Sequence, residues 1–125
     1  MGKWASDSLF LDKALDYLKA NADLMTLCSA QPANYAEAAT TYMLADAAMV
    51  TADFTIGNGD VSGRKVTVGA QAGEAVDFTG TGTHVALCDV GNTALIFVTT
   101  CASVAVDAAG TVDFGAWDIE NADPV

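Results

Sequence analysis

The chain has 125 residues, 52% of them hydrophobic, and its 16 acidic residues against five basic ones give a formal net charge of −11. This composition excludes disorder of the whole chain, and a charge of this sign argues against binding to nucleic acid or to an anionic bilayer. No stretch has the character of a Sec signal or of a membrane span, so we expect neither. The length predicts one domain, residues 1–125, divided into an N-terminal arm and helix (1–22), a strand with an ambiguous segment (24–52) and an antiparallel β domain (53–125).

The first predicted element is an amphipathic helix over residues 6–21. Leu11, Leu15 and Leu18 recur at helical spacing, which places them on one face. Ser6 is suited to accept a hydrogen bond from a first-turn amide, and Asp7 lies where the helix dipole favours a carboxylate. The apolar face predicts packing on a sheet or on a neighbouring chain.

The remaining chain is predicted to be mainly β. A strand over Leu24–Ala30 ends before Pro32, and for the alanine-rich residues 34–52 helix and irregular structure are equally good interpretations. Beyond them, alternating runs separated by glycine-containing turns are typical of an antiparallel β-sandwich or barrel-like domain. The expected strands cover residues 54–56, 64–70, 75–79, 83–89, 94–101, 103–107 and 112–117.

The clearest hairpin signal is the dipeptide Gly91-Asn92, which suits a two-residue type II′ turn. Such a turn fixes the register, with the pairs Cys88–Leu95, Ala86–Phe97 and His84–Thr99, and with Cys101 opposite Gly82. Both faces of this hairpin are apolar, and one of them carries Ile96 and Val98. The second face therefore needs a cover, for which the N-terminal helix and a neighbouring subunit are the candidates.

Side chains that carry out chemistry are sparse. Cys28, Cys88 and Cys101 form no CxxC pair and have no suitably spaced histidine, so we expect buried free thiols rather than disulfides or a zinc site. The lone histidine, His84, lies in a predicted strand without a nucleophile motif, and a packed strand histidine is the simpler interpretation. We expect no catalytic residues, no metal site and no cofactor, and hence no enzyme.

Two acidic segments could be read as ligand sites. The loop with Asn58 and Asp60 lacks the spacing and the final glutamate of a calcium-binding loop, so a glycine-rich hairpin loop is the simpler interpretation. Asp118, Glu120 and Asp123 could take a metal or a partner's lysine, but a solvated acidic tail is the commoner meaning of such a run.

Five sequence phrases, spread over nearly the whole chain, carry a family resemblance. They are KWASD (3–7), CSAQP (28–32), THVALCD (83–89), LIFVTT (95–100) and AWDIENADPV (116–125). Together they resemble a family of small structural proteins of tailed bacteriophages and prophages. The resemblance implies a non-enzymatic component of the virion, made in the host bacterial cytoplasm, and within the virion we favour the head shell. Its favoured role is a capsid decoration (cement) protein, with a head-to-tail adaptor or a tail or fibre component as the alternative.

The expected partners are the major capsid protein and other copies of this chain. A carbohydrate-binding β-sandwich module is the competing class, motivated by Trp4, Tyr42, Trp117 and the acidic loops. Tryptophan is enriched at interfaces, and the helix face, the second hairpin face and the acidic end add further candidates. The candidate interface residues are Trp4, Leu11, Leu15, Leu18, Ile96, Val98, Trp117, Asp118 and Glu120.

Overall fold

The computed structural model describes residues 3–124; Met1, Gly2 and Val125, the last residue of the phrase 116–125, lie outside it. The fold is mainly β, with antiparallel sheets and an N-terminal helix, which confirms the predicted class. The strands are β1 Leu24–Cys28, β2 Met43–Ala48, β3 Phe54–Asn58, β4 Arg64–Val68, β5 Gln71–Ala75, β6 Gly80–Asp89, β7 Ala94–Val106, β8 Thr111–Phe114 and β9 Trp117–Asn121. Within residues 3–124 they form three sheets of order β2-β1-β6-β7, β3-β4-β9 and β5-β8.

The helix begins as predicted and packs on the second sheet. One π-helical turn, Asp7–Leu11, continues into helix α1, Asp12–Asn21, and the Ser6 hydroxyl accepts a hydrogen bond from the Leu9 amide at 3.2 Å. The three leucines of the apolar face are buried, and Leu15 and Leu18 belong to the main core, where α1 contacts β3 and β4. The structure therefore removes Leu11, Leu15 and Leu18 from the candidate interface. No helix in the described chain is long and apolar enough to cross a bilayer.

Residues 34–52 contain a strand, which neither sequence interpretation allowed. A π-helical turn, Glu37–Thr41, precedes β2, and a short 3₁₀ turn follows at Thr51–Asp53. Strand β2 pairs antiparallel with β1, and this pairing buries Leu44, Ala45 and Ala47. Alanine favours helix in isolation, but burial against a paired strand overrides that preference.

The β6–β7 hairpin differs from the predicted one in its turn and in most of its register. Asp89 pairs with Ala94, so the loop has four residues, and the positive φ of 47° falls at Thr93 rather than at Gly91. The Asp89 carboxylate accepts hydrogen bonds from the Asn92 backbone and side chain at 3.3 and 2.7 Å. The Cys88–Leu95 pair is confirmed. A register shift next to it gives the pairs Leu87–Phe97, Ala86–Val98 and His84–Thr100 instead of those predicted.

One face of this hairpin packs against segment 35–42 of the same chain, a cover that the sequence did not indicate, while helix α1 contacts β3 and β4 instead. Ala38 of this segment forms a small buried cluster with Cys28, Ala86 and Cys88. Tyr35 and Tyr42 pack against that cluster, as does Val98. The Cys28 thiol also donates to the Ala38 carbonyl at 3.6 Å. Helix α1 is thus free to cover a different sheet.

Four further strand predictions need correction. The strands expected at 94–101 and 103–107 are one strand, β7. Two extra residues of β7 bulge out between the pairs Gly82–Val104 and His84–Thr100. Because of this bulge, Gly82 faces Val104 and not Cys101 as predicted. The strand expected at 75–79 lies earlier, at 71–75, and that at 112–117 divides into β8 and the start of β9. Strand β9 pairs with β4, placing Asp118 opposite Thr67 and Glu120 opposite Lys65. The expected acidic tail is therefore largely a paired strand.

Candidate functional site

An open groove of about 500 Å³ lies where the three sheets meet. Leu27 of β1 and Val85 of β6 belong to its lining, and the rest comes from β7, β8, β9 and the Gly115-Ala116 link between the last two. Within residues 3–124, β7 pairs only with β6, β8 only with β5, and β9 only with β4. The groove is therefore flanked by three strands that each have a free edge, where backbone groups are available to an incoming chain.

Trp117, the first residue of β9, lines the groove and carries a buried hydrogen-bond donor without a partner in the described chain. Its ring centroid lies 5.9 Å from that of Phe97, with the planes tilted by 31°. Its Nε1 is buried and has no hydrogen-bond partner among the described residues. A buried donor without an acceptor costs about 1–3 kcal/mol, so an acceptor supplied by a bound group would remove that cost.

Carboxylates line the groove beside this apolar surface. Asp113 accepts a hydrogen bond from the Gly73 amide at 2.7 Å, and Asp118 accepts one from the Thr67 hydroxyl at 2.8 Å. Lys65 lies 3.4 Å from Asp118 and 2.6 Å from Asp60. The hydrogen bond and charge of Lys65 lower the pKa of Asp60, and the hydrogen bond that Lys65 donates to Asp60 raises the pKa of Lys65. These contacts hold the carboxylates in place while leaving their net charge negative.

A second apolar surface, the N-terminal patch, consists of Trp4, Leu9 and Phe10. Their exposed fractions are 83%, 77% and 72%. Trp4 and Phe10 form a shallow depression together with Pro124, which follows the end of β9. Large apolar side chains exposed as a group mark interaction sites more often than single ones do. The patch therefore joins the groove as a candidate contact surface.

The predicted site residues are distributed over several environments. Trp4 lies in the N-terminal patch, whereas Trp117 and Asp118 line the groove. Ile96 packs on the main core, and Val98 packs under segment 35–42. The exposed Glu120 accepts a hydrogen bond from the Asp60 amide at 2.8 Å. Only Trp117 and Asp118 of these residues share one site.

The three aromatic residues that motivated the carbohydrate interpretation lie in different places. Trp4 lies in the N-terminal patch, Tyr42 packs against the cluster around Cys28, and Trp117 lines the groove. The three rings therefore do not form one stacking surface.

The three cysteines are free thiols, two buried and one, Cys101, half-buried in the groove lining. Burial raises the pKa of all three thiols, and for Cys88 it does so to about 11, aided by Cys28 and Asp23. Thiols with a raised pKa stay protonated at neutral pH and react slowly. His84 lies in β6 with its Nδ1 2.8 Å from the Thr83 hydroxyl.

The loop that contains Asn58 and Asp60, which lacks the spacing of a calcium-binding loop, is held by hydrogen bonds and ion pairs. Asn58 accepts a hydrogen bond from Arg64 at 2.7 Å, and Arg64 also binds Asp12 of α1 at 2.8 Å. Asp60 binds Lys65, as described above. Among residues 3–124, no group of three or more histidine, cysteine or acidic side chains is placed to hold a metal ion.

Sequence reasoning identified Trp117 as a possible anchor but missed the groove around it. The available sign was the Gly115-Ala116 pair, which interrupts the alternating pattern between two short strands. Comparison of the chain with protein-family models, curated proteins and solved structures finds no match.

Proposed function

We propose that the protein is a non-enzymatic structural component of a tailed-phage virion, acting as a capsid decoration protein that stabilises the head shell. The observation that carries this proposal is the presence of two separate apolar contact surfaces, the N-terminal patch and the groove, on one small acidic domain. The resemblance of the chain's sequence phrases to small phage structural proteins supports the same role.

The mechanism is contact area combined with multivalency. A domain that touches two capsid subunits at once ties them together, and the second contact forms at a high effective concentration once the first exists. Many copies on one shell then oppose the outward pressure of the packaged genome. No chemical step is required, and the partners are the major capsid protein and neighbouring copies.

Charge selects the partner surface. After Lys65 the chain has no basic residue, while eight acidic residues follow. An excess of carboxylates on a protein surface attracts basic patches and repels acidic ones, and this electrostatic effect contributes most to the rate of association. Asp118 and Glu120 are engaged by Thr67, Lys65 and the Asp60 amide. The remaining exposed carboxylates are therefore the better candidates for electrostatic contact.

Purified particles test this role. Particles from the strain that encodes the chain should contain many copies, and particles lacking the gene should release DNA at a lower temperature. Added wild-type protein should restore heat resistance. Trp4→Ser should restore it less well, whereas Val61→Ser serves as the matched control because Val61 is 95% exposed and lies outside both surfaces.

Other outcomes contradict the proposal in distinguishable ways. A few copies confined to the tail axis would assign the protein to an adaptor or tail component. Complete absence from particles, or heat resistance unaffected by loss of the gene, would remove the cement role.

A further inference from the structure

We infer that the groove binds the N-terminal arm of a second copy of this chain, with Trp4 as the inserted side chain. The arm, Lys3–Ser6, has no helical or strand structure and reaches the extended residue Ser6 before the helix begins. The contact joins two different surfaces, the N-terminal patch of one copy and the groove of the next. It is a property of the isolated chain and does not rest on the proposed virion role.

The geometry separates each arm from its own groove. Trp4 lies beside Pro124, which follows the end of β9, whereas the groove lies at Trp117, the first residue of β9. Five residues of extended strand span roughly 13–16 Å, so the two surfaces lie towards opposite ends of this strand. A second copy can bring its arm to the groove without unfolding any element.

Shape and polarity fit a tryptophan on an extended backbone. A buried tryptophan removes about 150–250 Å² from water, and clefts of about 300–1,000 Å³ are large enough for such a group and its neighbours. The groove, at about 500 Å³, offers Val104, Val112 and Phe114 as apolar contacts. The same lining holds Trp117, whose buried Nε1 has no hydrogen-bond partner among the described residues.

Charge favours this pairing of surfaces over others. Each copy carries a net charge of −11, so two copies repel each other over most of their surface. The arm has a basic residue, Lys3, next to Trp4, and the groove lining includes the exposed residue Asp113. Opposite charges therefore meet when the arm enters the groove, which sets the orientation of the contact.

Strand β7 is the competing surface for self-association. It is 13 residues long, lacks charged residues and has a free edge. Two register shifts interrupt its pairing with β6, one of them with two extra residues. Bulges of this kind bend an edge strand and prevent a long continuous pairing with another chain. The groove, by contrast, needs only a short extended segment.

The strength of the contact follows from its size. A short arm buries less than the roughly 1,200 Å² at which stable protein interfaces begin, so association in solution should be weak and concentration-dependent. Sedimentation velocity at about 150 mM salt, where the Debye length is about 8 Å, should show the average mass of the wild type rising with protein concentration. Trp4→Ser should weaken association by about 30-fold or more, the loss expected of an interface hot spot, while Val61→Ser should leave it unchanged.

Complementation between two variants tests the pairing of surfaces. Ala116→Arg places a long side chain in the groove from an exposed link residue and leaves the arm intact. Trp4→Ser leaves the groove intact. Each variant alone should be monomeric with a wild-type circular dichroism spectrum, and an equimolar mixture should form a 1:1 complex through the remaining arm and groove.

Three results would overturn the inference. They are a wild type that stays monomeric up to millimolar concentration, self-association that Trp4→Ser does not weaken, and a mixture of the two variants that forms no complex. The last two would assign self-association to another surface, such as β7. The number of copies on particles is measured separately from self-association in solution. The arm contact can therefore be refuted while the virion role is supported, and the virion role can be refuted while the arm contact is supported.

Discussion

A single added methyl group at Gly82 tests the packing of the sheet beneath the groove. Gly82 is a buried residue of β6, and a Cβ built on it would lie 2.5, 2.6 and 2.7 Å from three side-chain carbons of Leu27. Carbon atoms pack at about 3.5–4.0 Å, so the Leu27 side chain must move by roughly 1 Å. Leu27 is only 3% exposed, which leaves the groove as the space into which it can shift.

The expected loss of stability follows from two opposing effects. Overpacking of a core position costs typically 1–3 kcal/mol. Replacing glycine by alanine restricts the unfolded chain and returns about 0.4–1 kcal/mol, since the φ of Gly82 is not in the positive range. Gly82→Ala should therefore lower the free energy of unfolding by about 1–2 kcal/mol, which in a domain of this size lowers Tm by roughly 4–10 °C.

Urea and thermal unfolding followed by circular dichroism measure this effect. Gly57→Ala is the matched control, because an added Cβ there meets no atom within 4 Å and the residue also lies in a strand. Leu27→Val in both backgrounds completes a double-mutant cycle, and the coupling between the two sites should be at least about 0.5 kcal/mol. Equal stabilities of Gly82→Ala and Gly57→Ala, or an absence of coupling, would refute this account of the packing.

Two further predictions concern titratable groups. Burial, reinforced by the charge of Asp77, raises the pKa of Asp46, so ionisation of this carboxyl lowers the free energy of unfolding. This loss of stability is absent below the ordinary aspartate pKa and is complete above the raised pKa of Asp46. Asp46→Asn should therefore raise Tm at pH 7 but not at pH 3. The control Asp107→Asn, at an exposed site, should raise Tm at neither pH. An increase in Tm of Asp46→Asn at pH 3 as large as that at pH 7 would contradict this assignment. In the folded protein at pH 7, iodoacetamide should modify Cys101 slowly and leave Cys28 and Cys88 unmodified until the chain unfolds. Rapid modification of Cys88 would show that its site opens.

Sequence patterns predicted correctly those elements that are stabilised by interactions between residues close together in the chain. The spacing of Leu15 and Leu18 and the capping hydroxyl of Ser6 predicted the N-terminal helix, because these interactions form within a few residues. Glycine-containing turns likewise predicted an antiparallel β domain. The turn at Gly91-Asn92 was recognised, but its length was wrong because Asp89 bonds to Asn92 and the positive φ moves to Thr93.

Features that depend on distant pairing were missed. Strand β2 forms because β1 is available to pair with Met43–Ala48, which no local preference of this alanine-rich segment reports. The groove requires three sheets to meet around Trp117, and the cover of the β6–β7 hairpin requires Ala38 to pack on Cys88. Such contacts join residues far apart in sequence, so spacing along the chain cannot specify them.

A reconstruction of the phage head at side-chain resolution tests the central claim most directly. We expect many copies of this domain on the outer shell, with the N-terminal patch around Trp4 and the groove around Trp117 each buried against a neighbouring subunit. Absence of the domain from the shell, or its presence with either surface facing solvent, would contradict the proposed function.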